Sequence, residues 1–244
     1  MPAMPIVLLP GWGFTPVIWE PLIQALTLHG IARSRIQTPA LPLSIDHALA
    51  QTLDELASQL PEQAHIVGWS LGGELALALA QSRPDRVASL TLISSTPCFM
   101  IRDGWSAGQP TSLLDDFDQR LAANPAALLK RFAALIRHGD AEASRNRSLA
   151  EYLAQAYETD PERLAAGLQL LRQVDLRTNT AAMSVPLMLV HGIHDAVTPL
   201  PAAEWLQQQT RATLHQVEGA SHALPLTHPT RVAAYLSAFI EQLA

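Results

Sequence analysis

The sequence is poor in basic residues and has almost no cysteine, and both shortages exclude classes of protein. Its 244 residues include 16 lysines and arginines against 22 aspartates and glutamates, a formal net charge of −6. That balance argues against nucleic acid as the main partner, because a phosphate-binding surface carries a basic excess. The single cysteine, Cys98, excludes an intramolecular disulfide and a cysteine-rich metal site. We expect Cys98 to be a small buried apolar side chain.

Long apolar runs are also missing, although 48% of the residues are hydrophobic. All apolar runs are far shorter than the roughly 20 residues that a membrane-spanning helix needs, so we expect no membrane segment. The first five residues carry no basic side chain, and the apolar run that follows, residues 6–9, is too short for a secretory signal. We therefore expect a globular cytoplasmic protein.

Apolar strand patterns alternate with helical patterns over most of the chain. The predicted strands lie at residues 6–9, 36–38, 65–67, 87–93, 186–190 and 213–217. The predicted helices between and after them lie at residues 16–29, 45–60, 71–82, 201–209 and 229–243. Strands that alternate with helices predict an α/β fold, with a mostly parallel sheet covered by helices on both faces.

The strand patterns stop between Cys98 and Met183. Helical patterns replace them, at residues 113–122, 125–138, 143–158 and 160–174. Four helices are too many for a loop. We therefore predict a core formed by residues 1–98 and 183–244, with residues 99–182 inserted as a helical cap.

Ser70 lies between Gly68 and Gly72, where a predicted buried strand turns abruptly into a helix. This arrangement is typical of a nucleophile elbow, in which the serine adopts a strained backbone and the flanking glycines avoid collisions. The N-terminus of the following helix would lie beneath an oxyanion formed at the serine. The pattern predicts a serine hydrolase; the alternative is a glycine-rich turn with an incidental serine.

A serine hydroxyl needs a base within reach, and the base needs an acid that orients it. Asp195 follows the predicted strand 186–190, and His222 follows the last predicted strand. The chain order Ser70, Asp195, His222 is the order of this fold class. Asp195 could alternatively be only a turn former. His228 is the rival base, but the proline after it favours a lead-in to the final helix.

His191 and His194 stand close to Asp195 in the sequence and superficially resemble metal ligands. No fourth ligand of a suitable type accompanies them, so we predict neither a metal site nor a cofactor. We interpret His194 as a pocket wall or a surface residue.

Two preorganised donors should bind the oxyanion of a tetrahedral intermediate. The first is the backbone N–H of Leu71, directly after the proposed nucleophile. The second is the backbone N–H of Trp12, in the turn Gly11-Trp12-Gly13 after the first strand. A packing role for the Trp12 indole is compatible with this assignment.

One segment of the predicted cap reverses the overall charge of the chain. Residues 130–147 carry five basic residues against two acidic ones, a local charge of +3. The basic residues are Lys130, Arg131, Arg137, Arg145 and Arg147. This segment is either a contact surface for an acidic partner or a solvated helical face.

Several separate segments carry a resemblance to known proteins. They are Gly11-Trp12-Gly13, Gly68-Trp69-Ser70-Leu71-Gly72-Gly73, Ser94-Ser95-Thr96-Pro97-Cys98-Phe99 followed by Arg102-Asp103-Gly104-Trp105, and Gly167-Leu168-Gln169-Leu170-Leu171 leading to Val174-Asp175-Leu176-Arg177. Together they resemble the α/β-hydrolase superfamily. The last two segments are similar to one family within it, the esterases that act on the pimeloyl-acyl carrier protein methyl ester in biotin synthesis.

The resemblance implies hydrolysis of that methyl ester through a Ser-His-Asp triad and an acyl-enzyme. It also implies that an acidic acyl carrier protein meets the basic cap segment, whose five cations are the expected contacts. The implied substrate-binding residues are Trp12, Ser70, Leu71, Phe132, Ala133, Ala134, Leu135, Ile136 and His222. We expect a monomer, with a dimer as the alternative.

The sequence departs from the family pattern at three places. It begins almost at its first core strand, so we expect the two strands that usually come earlier to be missing and one sheet edge to be exposed or used in a dimer. Pro10 replaces the usual histidine before the glycine turn. Residues 38–42 lack the usual glycines.

Two other functions remain open from the sequence. The first is a general carboxylesterase or carbon–carbon bond hydrolase for a free small molecule. The second is a non-catalytic binding protein with a hydrolase fold, because the fold alone does not give the function.

Overall fold

A six-stranded parallel sheet forms the centre of the computed structural model, which describes residues 3–146 and 148–243. The strand order is β2-β1-β3-β4-β5-β6, and every neighbouring pair is parallel. The strands are β1 (Ile6–Leu9), β2 (Ile36–Gln37), β3 (Ala64–Trp69), β4 (Val87–Ile93), β5 (Leu187–Gly192) and β6 (Thr213–Val217). Strands β1, β3 and β5 are completely buried, which explains their mainly apolar sequences; β3 and β5 each include one buried histidine, His65 and His191.

Eleven α-helices are present in the described part of the chain. Those next to the sheet are α1 (Glu20–Leu28), α2 (Leu49–Gln59), α3 (Leu71–Ser82), α9 (Leu200–Thr210), α10 (Leu224–Thr227) and α11 (Pro229–Glu241). Those between β4 and β5 are α4 (Thr111–Ala123), α5 (Pro125–Leu135), α6 (Ala141–Arg145), α7 (Leu149–Gln155) and α8 (Pro161–Gln173). The predicted α/β class is confirmed. The exact division at residues 98/99 and 182/183 stays a prediction.

Two predicted helices of the inserted segment have different bounds in the structure. The single helix predicted at residues 143–158 is wrong, because α6 and α7 are separate helices. The Ser148 hydroxyl donates to the side-chain oxygen of Asn146 (2.9 Å), and this side-chain bond replaces helical backbone bonding at this point. The helix predicted at residues 125–138 ends at Leu135, because the carbonyl of Ile136 accepts bonds from Ser221 and Ala223 instead.

Smaller differences occur elsewhere. Helix α2 begins at Leu49 rather than at residue 45, because Ser44 holds a turn with the backbone N–H groups of Asp46 and His47. The short helix α10 was not predicted.

Cys98 is buried, as predicted. No helix among the described residues is long and apolar enough to cross a membrane.

Glu74, in the first turn of α3, is a carboxyl group buried in the core. Its residue is only 1% exposed, and neither carboxyl oxygen has a hydrogen-bond partner in the described part of the chain. Burial raises the pKa of Glu74 well above its ordinary value, because the charged form loses its hydration. The folded protein therefore holds this proton to a higher pH than an exposed glutamate does.

We predict that Glu74→Met stabilises the protein by about 1–3 kcal/mol, because the methionine fills a similar volume without polar atoms that need partners. The gain should be larger at pH 8 than at pH 5. The unfolded carboxyl ionises above a pKa of about 4.3, whereas the folded one holds its proton to a higher pH, so wild-type stability falls across that interval. Urea unfolding at both pH values measures the difference. Glu62→Met, at an exposed glutamate, is the control and should change little at either pH. Destabilisation of Glu74→Met at both pH values would show that the carboxyl group has a stabilising partner.

Candidate active site

Ser70 occupies a sharp turn between β3 and α3. Its backbone dihedrals, φ 55° and ψ −123°, lie where a residue with a side chain is strained. A Cβ atom on Gly68 would lie 2.5 Å from the carbonyl oxygen of Gly72, and one on Gly72 would overlap the carbonyl oxygens of Leu9 and Pro10. The flanking glycines are therefore sterically required by this turn.

Hydrogen bonds from neighbouring elements hold the turn in place. The backbone N–H of Ser70 donates to the carbonyl of Ile93 (3.1 Å), at the end of β4. The hydroxyl of Ser95 donates to the carbonyl of Ser70 (2.8 Å). The Trp69 indole N–H donates to the carbonyl of His222 (2.9 Å), and the two rings lie 5.6 Å apart. These bonds bring the His222 turn to the residue next to Ser70.

His222 and Asp195 form a buried pair. The Nδ1 atom of His222 lies 2.8 Å and 3.0 Å from the two carboxylate oxygens of Asp195. Because the carboxylate accepts the Nδ1 proton, the Nε2 atom is left as the free nitrogen of the ring. Nε2 is buried and has no hydrogen-bond partner among the described residues. The pair therefore presents an unengaged basic nitrogen in a site closed to bulk water.

The turn after β5 surrounds the Asp195 carboxylate with donors. One oxygen accepts the backbone N–H groups of Val197 (2.9 Å) and Thr198 (2.8 Å), and the other lies 2.9 Å from the Thr198 hydroxyl. Burial acts to raise the pKa of Asp195, but attraction to His222 and the hydrogen bonds outweigh it and hold this pKa below its ordinary value. Asp195 is therefore ionised while it orients the imidazole.

The other histidines considered from the sequence make no hydrogen bond to Asp195. His191 donates from Nε2 to the carbonyl of Thr198 (2.7 Å) and lies 3.6 Å from the Asp195 carboxylate; burial lowers its pKa, so it is neutral. His194 is exposed. His228 contacts the Thr227 hydroxyl (2.9 Å) and Asp140, not Asp195. Within residues 3–146 and 148–243, no cluster of three or more histidine, cysteine, aspartate and glutamate side chains could hold a metal ion.

The turn after β1 lies directly against the elbow. A Cβ atom on Gly11 would stand 3.2 Å from the Cβ atom of Ser70. The backbone N–H groups of Trp12 and Leu71 donate to no protein acceptor in the described chain. The Trp12 indole donates to the carbonyl of Leu164 (2.9 Å), so its side chain also has a packing role. The site thus contains two free N–H groups of the kind that an oxyanion requires.

Ser70 lines a narrow apolar cavity beneath the inserted helices, with free space of only about 10 Å³. The other lining residues are Trp12, Phe99, Leu113, Leu114, Phe117, Phe132, Leu135, Leu168, Leu171 and Val197. All of these side chains are apolar or aromatic, so the lining suits a hydrocarbon chain, but these side chains must move apart before such a chain can enter.

The structure brings only part of the predicted substrate set to this cavity. Trp12, Ser70, Phe132 and Leu135 line it. Leu71, Ala133, Ile136 and His222 are buried outside the lining, and Ala134 is exposed. The lining residues from α4 and α8 were missed, although 113, 114 and 117 and also 168 and 171 have helical spacing, a signal that could have found them.

The basic residues of the inserted segment differ in their environments. Lys130 and Arg131 are exposed on α5 and make no ion pair with the described residues. Arg137 is half-buried and donates to the carbonyl of Ala133 (2.7 Å). Arg145 pairs with Glu142 (2.6 Å), which offsets its charge. Arg147 lies outside the described residues.

A parallel sheet with a strained serine at its central strand-to-helix turn, and a buried His–Asp pair beside it, defines the class of α/β hydrolases. A model of the Alpha/beta hydrolase family matches residues 6–235. The chain belongs to this family.

Its curated relatives include proteins named pimeloyl-[acyl-carrier protein] methyl ester esterase. The protein from Aromatoleum aromaticum is 38% identical, over 95% of this chain and 96% of the relative. The one from Aeromonas hydrophila is 34% identical, over 96% of this chain and 94% of the relative. Among solved structures, an esterase from Exiguobacterium antarcticum has a TM-score of 0.80 at 20% identity, covering 98% of this chain and 92% of that one, which shows the shared fold. The chain is a carboxylic ester hydrolase.

Thr198 is a functional candidate that sequence reasoning missed. We predict that Thr198→Val lowers kcat for ester hydrolysis roughly 10-fold, because the Asp195 carboxylate loses a buried donor worth about 1.5 kcal/mol. KM should change little, since the hydroxyl lies outside the cavity. Steady-state kinetics with p-nitrophenyl acetate measures both constants. Thr198→Ser keeps the hydroxyl and should retain most of the activity; equal losses in both variants would assign the effect to packing.

Proposed function

We propose that this chain is a serine esterase that hydrolyses the methyl ester of pimeloyl-acyl carrier protein, with Ser70 as nucleophile, His222 as base and Asp195 as the acid that orients it. The observation that carries the proposal is the buried, unpartnered Nε2 of His222, whose other ring nitrogen is bonded to Asp195 and whose backbone is bonded to the residue next to Ser70. The names of the relatives support the choice of substrate.

Acylation begins when the Ser70 hydroxyl oxygen attacks the carbonyl carbon of the ester and His222 Nε2 takes the hydroxyl proton. The ester carbonyl oxygen becomes an oxyanion, which the backbone N–H groups of Leu71 and Trp12 stabilise. The positive end of α3 adds to this stabilisation. The intermediate collapses as His222 returns its proton to the departing methoxy oxygen, so methanol leaves and the acyl group stays on Ser70.

Deacylation repeats the same steps with water. His222 Nε2 takes a proton from a water molecule that attacks the acyl carbonyl, and it then gives that proton to the departing Ser70 oxygen. The product carries a new carboxylate. An apolar cavity stabilises a carboxylate poorly, which favours release of the product over renewed binding.

The apolar lining of the cavity supports an acyl substrate with a hydrocarbon middle. Helices α4, α5 and α8 supply seven of its lining residues. We propose that residues 99–182 act as a cap that shapes this cavity, while the core carries the reacting groups. A pimeloyl group suits a site divided between cap and core in this way, because its methylene chain can contact the cap while its ester lies at Ser70.

The cationic surface of α5 supports delivery by an acidic carrier protein. Lys130 and Arg131 are exposed there without ion-pair partners, and Phe132, the next residue, lines the cavity. The carrier would thus approach where the acyl chain enters. Arg137 is a weaker candidate because it is half-buried, and Arg145 because Glu142 offsets its charge. We propose the cytoplasm as the compartment, since the carrier would be found there.

We predict that Ser70→Ala lowers methanol release from pimeloyl-acyl carrier protein methyl ester by at least about 1,000-fold, because the nucleophile is lost. Labelling by a fluorophosphonate probe should disappear as well. Ser58→Ala, at an exposed serine of α2, is the matched control and should keep full activity. Methanol release that survives Ser70→Ala would overturn the mechanism. If the wild type cleaves small esters but not the carrier-bound ester, the general esterase is the correct function. A wild type without either activity or labelling would be a binding protein.

We predict that the double variant Lys130→Glu with Arg131→Glu raises KM for the carrier-bound ester about 10-fold, because reversed charges repel an acidic partner. KM for dimethyl pimelate, a free ester, should stay the same. Added salt should raise the wild-type KM for the carrier substrate only, because screening weakens attraction between exposed charges. Arg33→Glu, at an exposed arginine of the core, is the control. An equal effect of the double variant on both substrates would place these residues outside carrier recognition.

A further inference from the structure

Asp140 is a buried carboxylate of the cap that also reaches the core. It is 1% exposed and stands at the N-cap of α6, where its Oδ1 accepts the backbone N–H of Ala143 (2.8 Å). Its Oδ2 accepts the Thr227 hydroxyl (2.8 Å) and the backbone N–H of Ser221 (3.2 Å). One oxygen therefore caps a helix, and the other binds the loop that carries His222.

Further bonds from the same cap segment surround that loop. The carbonyl of Ile136 accepts the Ser221 hydroxyl (2.6 Å) and the backbone N–H of Ala223 (2.9 Å). The backbone N–H of Ala141 donates to the carbonyl of Gly219 (3.0 Å). Residues on both sides of His222 are thus tied to the segment between α5 and α6.

Among these contacts, only Asp140 brings a carboxylate, and a hydrogen bond to a charged group is stronger than one between neutral groups. If Asp140 lost its carboxylate, the N–H of Ser221 and the hydroxyl of Thr227 would each lose a hydrogen-bond acceptor. The Ala220–Ser221 peptide would then lose this anchor, and the turn would be held only by its bonds to Ile136, Ala141 and Trp69, so the imidazole would be placed less firmly. A displacement of about 1 Å at a reacting group can cost roughly 100-fold in rate.

We propose that Asp140 is a positioning residue for His222: its carboxylate, held on the cap, fixes the turn that carries the imidazole. The inference rests on the proposed role of His222 as the base. It means that the cap does more than enclose the substrate, because it also sets the geometry of proton transfer in the core.

The substitution Asp140→Asn separates the two roles of this side chain, which are to cap α6 and to bind the His222 turn. The remaining amide oxygen can still cap α6, whereas the amide NH₂ would face the Ser221 N–H, so that two donors oppose each other. Asp160 offers a matched control, because it is the N-cap of α8 and its Oδ1 accepts the backbone N–H of Glu162 (2.9 Å). Asp160 is exposed and accepts no bond from the His222 loop within the described chain.

The experiment uses p-nitrophenyl acetate, which needs no carrier protein. Asp140→Asn should lower kcat about 10- to 100-fold with KM nearly unchanged, because the base is misplaced while the cavity stays intact. The rate of Ser70 labelling by a fluorophosphonate should fall in proportion. Hydrogen exchange of residues 219–227 should become faster. Asp160→Asn should leave all three measurements at wild-type values.

A second pair of variants approaches the same contact from the core. Thr227→Val removes the hydroxyl donor and should lower kcat in the same direction, whereas Thr227→Ser should restore it. Combining Asp140→Asn with Thr227→Val should add little further loss, because both remove one interaction. If Asp140→Asn does not fold, the two Thr227 variants still test the proposal.

Wild-type kcat in folded Asp140→Asn, or a loss in Thr227→Val that Thr227→Ser does not restore, would overturn the inference. An equal loss of kcat in Asp160→Asn would show that both substitutions act by destabilising the cap, and it would also overturn the inference. These outcomes differ from failure of the proposed function, in which Ser70→Ala would keep its activity.

Discussion

The close contact between the start of α3 and the end of β1 is the constraint on which the rest of the site depends. Gly72 lies against the carbonyl oxygens of Leu9 and Pro10 with no room for a side chain. This approach places the β1 turn beside Ser70 and leaves the N–H groups of Trp12 and Leu71 unpaired among the described residues. The catalytic geometry that we propose is therefore a consequence of backbone packing between two adjacent strands and one helix.

The segment between β4 and β5 contacts each of the turns of the proposed site. Residues Ala156 and Glu158 bond the turn after β1, where the Thr15 N–H donates to the Ala156 carbonyl (2.8 Å) and the Glu158 N–H donates to the Gly13 carbonyl (2.9 Å). The Gln109 side chain donates to the carbonyls of Ala196 and Val197 (2.9 Å each), next to Asp195. Asp140 holds the His222 turn. The segment between β4 and β5 thus connects the cavity at Ser70 with the turns that carry the proposed nucleophile, acid and base.

Sequence reasoning succeeded where the structure follows from local rules. The strands β4 and β6 and the helix α3 have the predicted bounds, because apolar runs and glycine turns act over a few residues. The spacing of Gly68, Ser70 and Gly72 likewise expresses a steric requirement of one turn. Reasoning was weaker in the cap, where the helix predicted at residues 143–158 is interrupted and most of the cavity lining was not predicted.

The sequence by itself determined the α/β class, the glycine-flanked turn at Ser70 and the chain order of the turns that we propose to carry the acid and the base. Only the tertiary structure decided that α4 and α8 line the cavity and that Asp140 reaches the His222 turn. The physical reason is distance along the chain. Asp140 and Ser221 are 81 residues apart, so no local pattern reveals their bond, and it forms only because the folded core and cap bring both groups into one buried place.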